Sequence, residues 1–259
     1  MNTLVDVAFG DAPGRWPLPS ASTPREHWLR AVASGGQGRY AAAMAELDWL
    51  DRATICPALA SLALSTRASL LRQLGGHLVA RGWDGRAWAA ARSDVDAGAD
   101  ALVGLAADAL GVGRFSVSQR LLRRAGDLIG DGAAGRVGVR LAWVSAELAM
   151  VMGDGATAVD SAERAVELAA GFTSARHAVK SQVVLAAAWC SVGEFDTSRN
   201  VADAALTVAE RLGLVPLNWA LACVLADIGS SVHSPTEIRA RRDGLADTVR
   251  DRGGTWTAR

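Results

Sequence analysis

A chain of 259 residues, half of them hydrophobic and only 5% aromatic, with Ala, Leu, Val and Arg predominant, is suited to helices, because Ala and Leu lose little freedom there. Its 27 Lys and Arg offset its 27 Asp and Glu, which leaves no net field to gather nucleic acid or an anionic membrane. No basic n-region opens the chain and no apolar run reaches about 18 residues, so neither a signal peptide nor a membrane span is expected, and the expected location is cytoplasmic.

Among the basic residues only Lys180 is a lysine, a usage that fits a GC-rich genome and an actinobacterial source. Cys56, Cys190 and Cys223 are odd in number, far apart and flanked by apolar residues. Such spacing makes neither a disulfide framework nor a metal site, and reduced, buried thiols are expected. No metal and no cofactor is expected.

Residues 1–22, with Pro13, Pro17 and Pro19, show no periodicity and read as an irregular arm that packs through Phe9 and Trp16 or stays mobile. Thr23, Pro24 and Glu26 then supply an N-cap, a first-turn proline and a capping box. From there helices are predicted in pairs: 24–36 with 39–52, 58–74 with 77–92, 95–111 with 115–129, 136–152 with 156–170, and 175–191 with 195–212. Two further helices, 216–229 and 235–252, follow, the last opened by Ser234, Pro235 and Glu237 in the same capping arrangement. Ile238, Leu245 and Val249 give this last helix an apolar side suited to capping the exposed end of an array.

The pairs repeat. Gly38, Gly75, Gly113, Gly153 and Gly193 are spaced by 37, 38, 40 and 40 residues. Seven residues before them stand Ala31, Ala68, Ala106, Ala146 and Ala186; five after them stand Ala43, Ala80, Ser118, Ala158 and Ser198. Twelve after come Leu50, Ala87, Ala125, Ala165 and Ala205. Small residues facing one another let two helix backbones approach, and positions seven apart share a helical face. Each glycine is expected to end the first helix in the left-handed conformation. The ring two residues on, at Tyr40, His77, Phe115 and Phe195 but not at Gly155, is expected to plug the turn.

Over residues 24–213 this pattern resembles the tetratricopeptide repeat family: a small residue midway along a first helix, a Gly-x-aromatic turn, and two small residues seven apart on a second. The resemblance implies an all-α fold, a right-handed α-solenoid of about five helix-turn-helix repeats (23–213) plus two C-terminal capping helices (214–259). The repeats depart from the family in length, 37 to 40 residues against about 34. The closing proline is missing too, except at Pro57.

No phosphate loop, His-Glu-x-x-His, nucleophile elbow or paired-cysteine motif is present, and a non-catalytic protein is expected. Gly111-Val112-Gly113-Arg114-Phe115 has the look of a phosphate loop but follows no strand, so it reads as a repeat turn. His27, His77, His177 and His233 are isolated and read as packing residues. Of the nine tryptophans, Trp49, Trp88 and Trp189 are expected between repeats, while Trp83, Trp219 and Trp256 are harder to place.

In the family the first helices line the concave surface, which by register makes Arg25, Trp28, Ser69, Arg72, Gln73, Arg140, Trp143, Glu147 and Lys180 the candidate peptide-binding groove. Trp offers stiff contact area and Arg pairs with carboxylates. The competing expectation is that Trp28 and Trp143 only pack between adjacent helices. A carboxylate clamp of the chaperone-binding members is not expected, since Val32, Ser69, Ala107, Glu147 and Ala187 stand where its Asn would be. The resemblance implies an adaptor that holds a protein or peptide partner, with no nucleic acid or membrane and with homodimerisation left open. The alternative is a ligand- or peptide-sensing regulatory module. A closed pocket around Trp143 and Trp219 would favour the second, an open channel the first.

Overall fold

The computed structural model describes residues 3–130 and 135–257, and over these the chain forms thirteen helices and no strand. A short helix, α1 (Thr3–Phe9), precedes five antiparallel pairs: α2 (Pro24–Gly36) with α3 (Tyr40–Arg52), α4 (Pro57–Gln73) with α5 (His77–Ala91), and α6 (Val95–Gly111) with α7 (Phe115–Ile129). The series continues with α8 (Gly135–Met152) and α9 (Gly155–Ala170), then α10 (Ala175–Ser191) and α11 (Phe195–Arg211), and closes on α12 (Val215–Ile228) and α13 (Pro235–Asp251).

Local chemistry sets the ends of these helices. Thr23 and Ser234 both form complete capping boxes with Glu26 and Glu237, and the side chains of Asp94 and Asp154 accept from Ala97 N and Thr157 N at the starts of α6 and α9. All five in-register glycines adopt positive φ, between 73° and 86°, where a Cβ would be strained. The alanines seven residues before them are fully buried, as are Ala43, Ala80, Ser118, Ala158 and Ser198. Two buried hydroxyls bond across helix contacts: Ser198 Oγ donates to Ala186 O at 2.7 Å within a pair, and Ser181 Oγ to Ala165 O at 3.1 Å between pairs.

The structure differs from the sequence reading in several places. The arm includes a helix: Leu4, Val7 and Ala8 of α1 are buried in the same core as Trp28, Leu29 and Tyr40. Residues after it are pinned to α2, with Gln37 Nε2 donating to Pro13 O at 2.8 Å and Arg15 O at 3.0 Å, and Arg30 to Pro19 O. Of the rings after the glycine only Tyr40 is fully buried; His77 is half-buried against Gly111 of the next pair, and Phe115 and Phe195 are exposed. Cys56 is exposed at the N-cap of α4 and Cys190 and Cys223 are half-buried, so burial does not describe the thiols. Trp49 is 39% exposed and stacks on His27 at 3.8 Å, away from the inter-repeat core.

The C-terminal helices also do more than cover an apolar end. The chain curls until α13 reaches the first pair: Ala41 N donates to Arg252 O at 3.0 Å, Arg252 Nη1 to Gln37 O at 2.8 Å, and Thr257 N to Leu74 O at 2.8 Å. Val249 joins the core that holds Tyr40. A Cβ on Gly253 (φ +84°) would lie 2.6 Å from Ala41 Cβ, so glycine allows this approach. On another side Ala175 N donates to Gly10 O at 3.0 Å, which ties the end of α1 to α10. The solenoid is thereby closed into a ring.

Candidate functional site: a central cavity lined by the first helices

Inside the ring lies a half-open cavity of about 460 Å³. Of the residues picked out by register, Trp28, Ser69, Arg72, Gln73, Arg140, Trp143, Glu147 and Lys180 all line it. Arg25 does not: it lies in the first turn of α2 and is exposed. Phe9 of α1, Trp219 of α12 and Trp256 beyond α13 complete the wall, so the cavity has walls from both sides of the seam that closes the ring.

The two register tryptophans do pack between adjacent first helices. Trp28 Nε1 donates to Thr66 Oγ1 at 3.0 Å and Trp143 Nε1 to Ser181 Oγ at 2.8 Å, each bond spanning 38 residues to the next repeat. With both indole N–H groups satisfied inside the protein, what these rings offer the cavity is apolar surface. Trp143 stacks on His177 at 5.3 Å, and Phe9 lies 5.5 Å from Trp28 and 6.1 Å from His177. Trp219 and Trp256 pack at 4.4 Å across the opposite wall.

Two ionic clusters surround this aromatic lining. In the first, Arg72 Nη1 donates to Asp84 Oδ2 at 2.9 Å, to Asp108 Oδ1 at 2.5 Å and to Gly104 O at 3.1 Å. Both carboxylates are fully buried, and burial pushes the Asp108 pKa up to about 7 despite Arg72, with the neighbouring Asp84 adding to the rise. Asp84 moves upward for the same first reason. Burial works against the charge of Arg72, yet the two carboxylates together hold it protonated.

In the second cluster Asp100 on α6 receives both Arg136 and Arg140 of α8, Arg136 Nη2 at 3.0 Å from Oδ2 and Arg140 Nη1 on Oδ1. Burial opposes the ionised form of Asp100, and the two guanidiniums overcome it and hold the pKa below the ordinary value. Arg176 of α10 also faces the cavity, its Cδ 2.9 Å from where a Cβ on Gly36 would stand. Burial, then repulsion from Arg136 and Arg140, brings its pKa down to about 10. Lys180 Nζ donates to Glu147 Oε1 at 3.1 Å and lies 5.9 Å from the Trp143 ring. His177 is held neutral by burial, reinforced by Arg176, Arg136 and Arg140, and its Nδ1 is 2.8 Å from Ser174 Oγ.

Sequence reasoning missed Arg136, Arg176, His177 and Phe9. Arg136 and Arg176 stand seventeen residues before Gly153 and Gly193, one helical turn beyond the most distant register position considered, so carrying the register one turn further finds both. Among the described residues no group of three or more His, Cys, Asp or Glu side chains is placed to hold a metal ion, and no helix is long and apolar enough to cross a membrane. The stretch Gly111–Phe115 is a repeat turn, with the His77 ring filling the space a Cβ on Gly111 would need.

No family model matches the chain, and no curated protein matches it in sequence. Its fold is similar to that of a solved structure described as the crystal structure of Rap protein complexed with competence and sporulation factor. The TM-score is 0.67 at 13% identity, over 90% of this chain and 68% of that one. The fold and its repeat register together define a tetratricopeptide-like helical-repeat solenoid. At that identity the likeness establishes the architecture alone.

Proposed function

We propose that the chain is a non-catalytic regulatory binding module, in which a small ligand or short peptide fills the central cavity and sets how firmly the ring is closed for a protein partner. The observation that carries this reading is the convergence of Trp28, Trp143, Trp219 and Trp256 on one cavity, with its walls drawn from both sides of the seam. Its volume, about 460 Å³, falls in the range of sites that bury most of a drug-sized ligand. Phe9 and Trp256 add walls to the cavity from outside the first helices, which favours a small or short occupant over a long extended peptide. The Rap protein of the similar structure is complexed with a factor, which supports a binding role for this architecture.

Native mass spectrometry of the protein mixed with a pool of tripeptides and small aromatic compounds tests the reading. One-to-one adducts are expected, lost in Trp143→Ala and kept in Trp49→Ala, whose ring is outside the cavity. Adducts that survive Trp143→Ala unchanged would contradict it.

A further inference from the structure

We propose that the ligand of this cavity is a small organic anion, a carboxylate or phosphate on an apolar body, held at its charged end by Arg176 with Arg136 and Arg140. The inference rests on the cavity reading above and names the chemistry that reading leaves open.

The charges on the wall do not cancel locally. Arg72 is matched by Asp84 and Asp108, and Lys180 by Glu147. Arg136, Arg140 and Arg176, by contrast, have only Asp100 in direct ion pairs, and both its oxygens are taken by the first two. Asp84 acts on Arg140 from beyond pairing distance, and among the described residues no carboxylate pairs with Arg176. Arg176 Nε is shielded from solvent and has no hydrogen-bond partner, and the same is true of Arg72 Nη2 on the facing wall. A guanidinium without a carboxylate partner inside a protein is costly, and an anion placed against it offsets the repulsion among the three arginines.

The surroundings fit the remainder of such a ligand. Arg176 is followed directly by His177, whose ring stacks on Trp143 and meets Phe172 edge-on at 5.1 Å. Arg176, Trp143, Trp28 and Phe9 line the same cavity, so an anion on Arg176 leaves its carbon skeleton in a space walled by aromatic rings. His177 is neutral and adds no competing charge of its own. Planar guanidiniums take carboxylate and phosphate oxygens alike, so the two head groups share one recognition chemistry.

Three probes with the same ring system separate the possibilities by calorimetry on the intact chain: 1-naphthaleneacetate, its neutral counterpart 1-naphthaleneacetamide, and 1-naphthyl phosphate. The expected result is that at least one anion binds about ten-fold more tightly than the amide, the size of one charge-assisted hydrogen bond. Whichever anion gains more identifies the head group. Arg176→Met is expected to bring anion and amide within about two-fold while leaving amide binding intact, and Arg176→Lys to restore part of the preference. Equal binding of all three probes to the wild type overturns the proposal but leaves the cavity reading standing. Failure of all three to bind overturns both. The wild-type comparison needs no variant, so poor folding of an arginine variant does not prevent the decision.

Discussion

Asp108 shows how far burial outweighs a single ion pair. It accepts from Arg72 at 2.5 Å, yet its pKa rises to about 7 from an ordinary value of 3.8, because a fully buried carboxylate loses more hydration than one shared guanidinium returns. Between those pH values the folded protein holds a proton that the unfolded chain has released. The group's contribution to stability is therefore full below about pH 4, declines as pH rises through about 7, and is constant above. Asp108→Asn keeps the shape and removes the titration. The melting temperature of the wild type, measured relative to that of Asp108→Asn, is expected to fall between pH 5 and pH 8. Parallel melting curves across that range would show that Asp108 is ionised throughout.

The helix pair is the element from which the rest is assembled, and its logic was legible in the sequence. The boundaries read from the glycine register agree with the observed helices to within about two residues, because small residues at the pair contact and a left-handed glycine leave a periodic trace. Ala186 is fully buried where α10 meets α11, and Ser198 Oγ donates to its carbonyl. Ala186→Leu is expected to lower stability by about 1–3 kcal/mol in chemical denaturation, the usual cost of overpacking. A neutral effect would mean that the two backbones are not held in close approach. The helix α1 was not legible. Its seven residues are fewer than the two turns or more over which an apolar period can be recognised, and the prolines that follow suggest an arm. It folds because Leu4 and Val7 find a core built by the first two pairs together with Val249 of α13, each side chain contributing about 1.5–3 kcal/mol when fully buried.

For the molecule as a whole, register put eight of its nine candidates on the cavity wall and located none of the ring closure. Trp28, Arg72, Arg140 and Trp143 converge because stacked repeats present equivalent positions to one axis. Arg25 fails to converge because the equivalent turn of α2 is the exposed start of the array, with no earlier pair to enclose it. The seam depends on single contacts, such as Arg252 with Gln37 and Thr257 with Leu74, that recur nowhere else and so leave no period to detect. It is also the feature that turns a concave surface into a cavity and connects occupancy to shape. Hydrogen exchange at the Ala41 and Thr257 amides reads that connection most directly, since these two N–H groups donate across the seam to Arg252 O and Leu74 O. With 1-naphthaleneacetate or 1-naphthyl phosphate at saturation, both amides are expected to exchange more slowly than in the unliganded protein, and amides in the middle of α7 to be unchanged. Fast exchange at both seam amides with and without ligand would contradict a closed ring that a ligand tightens.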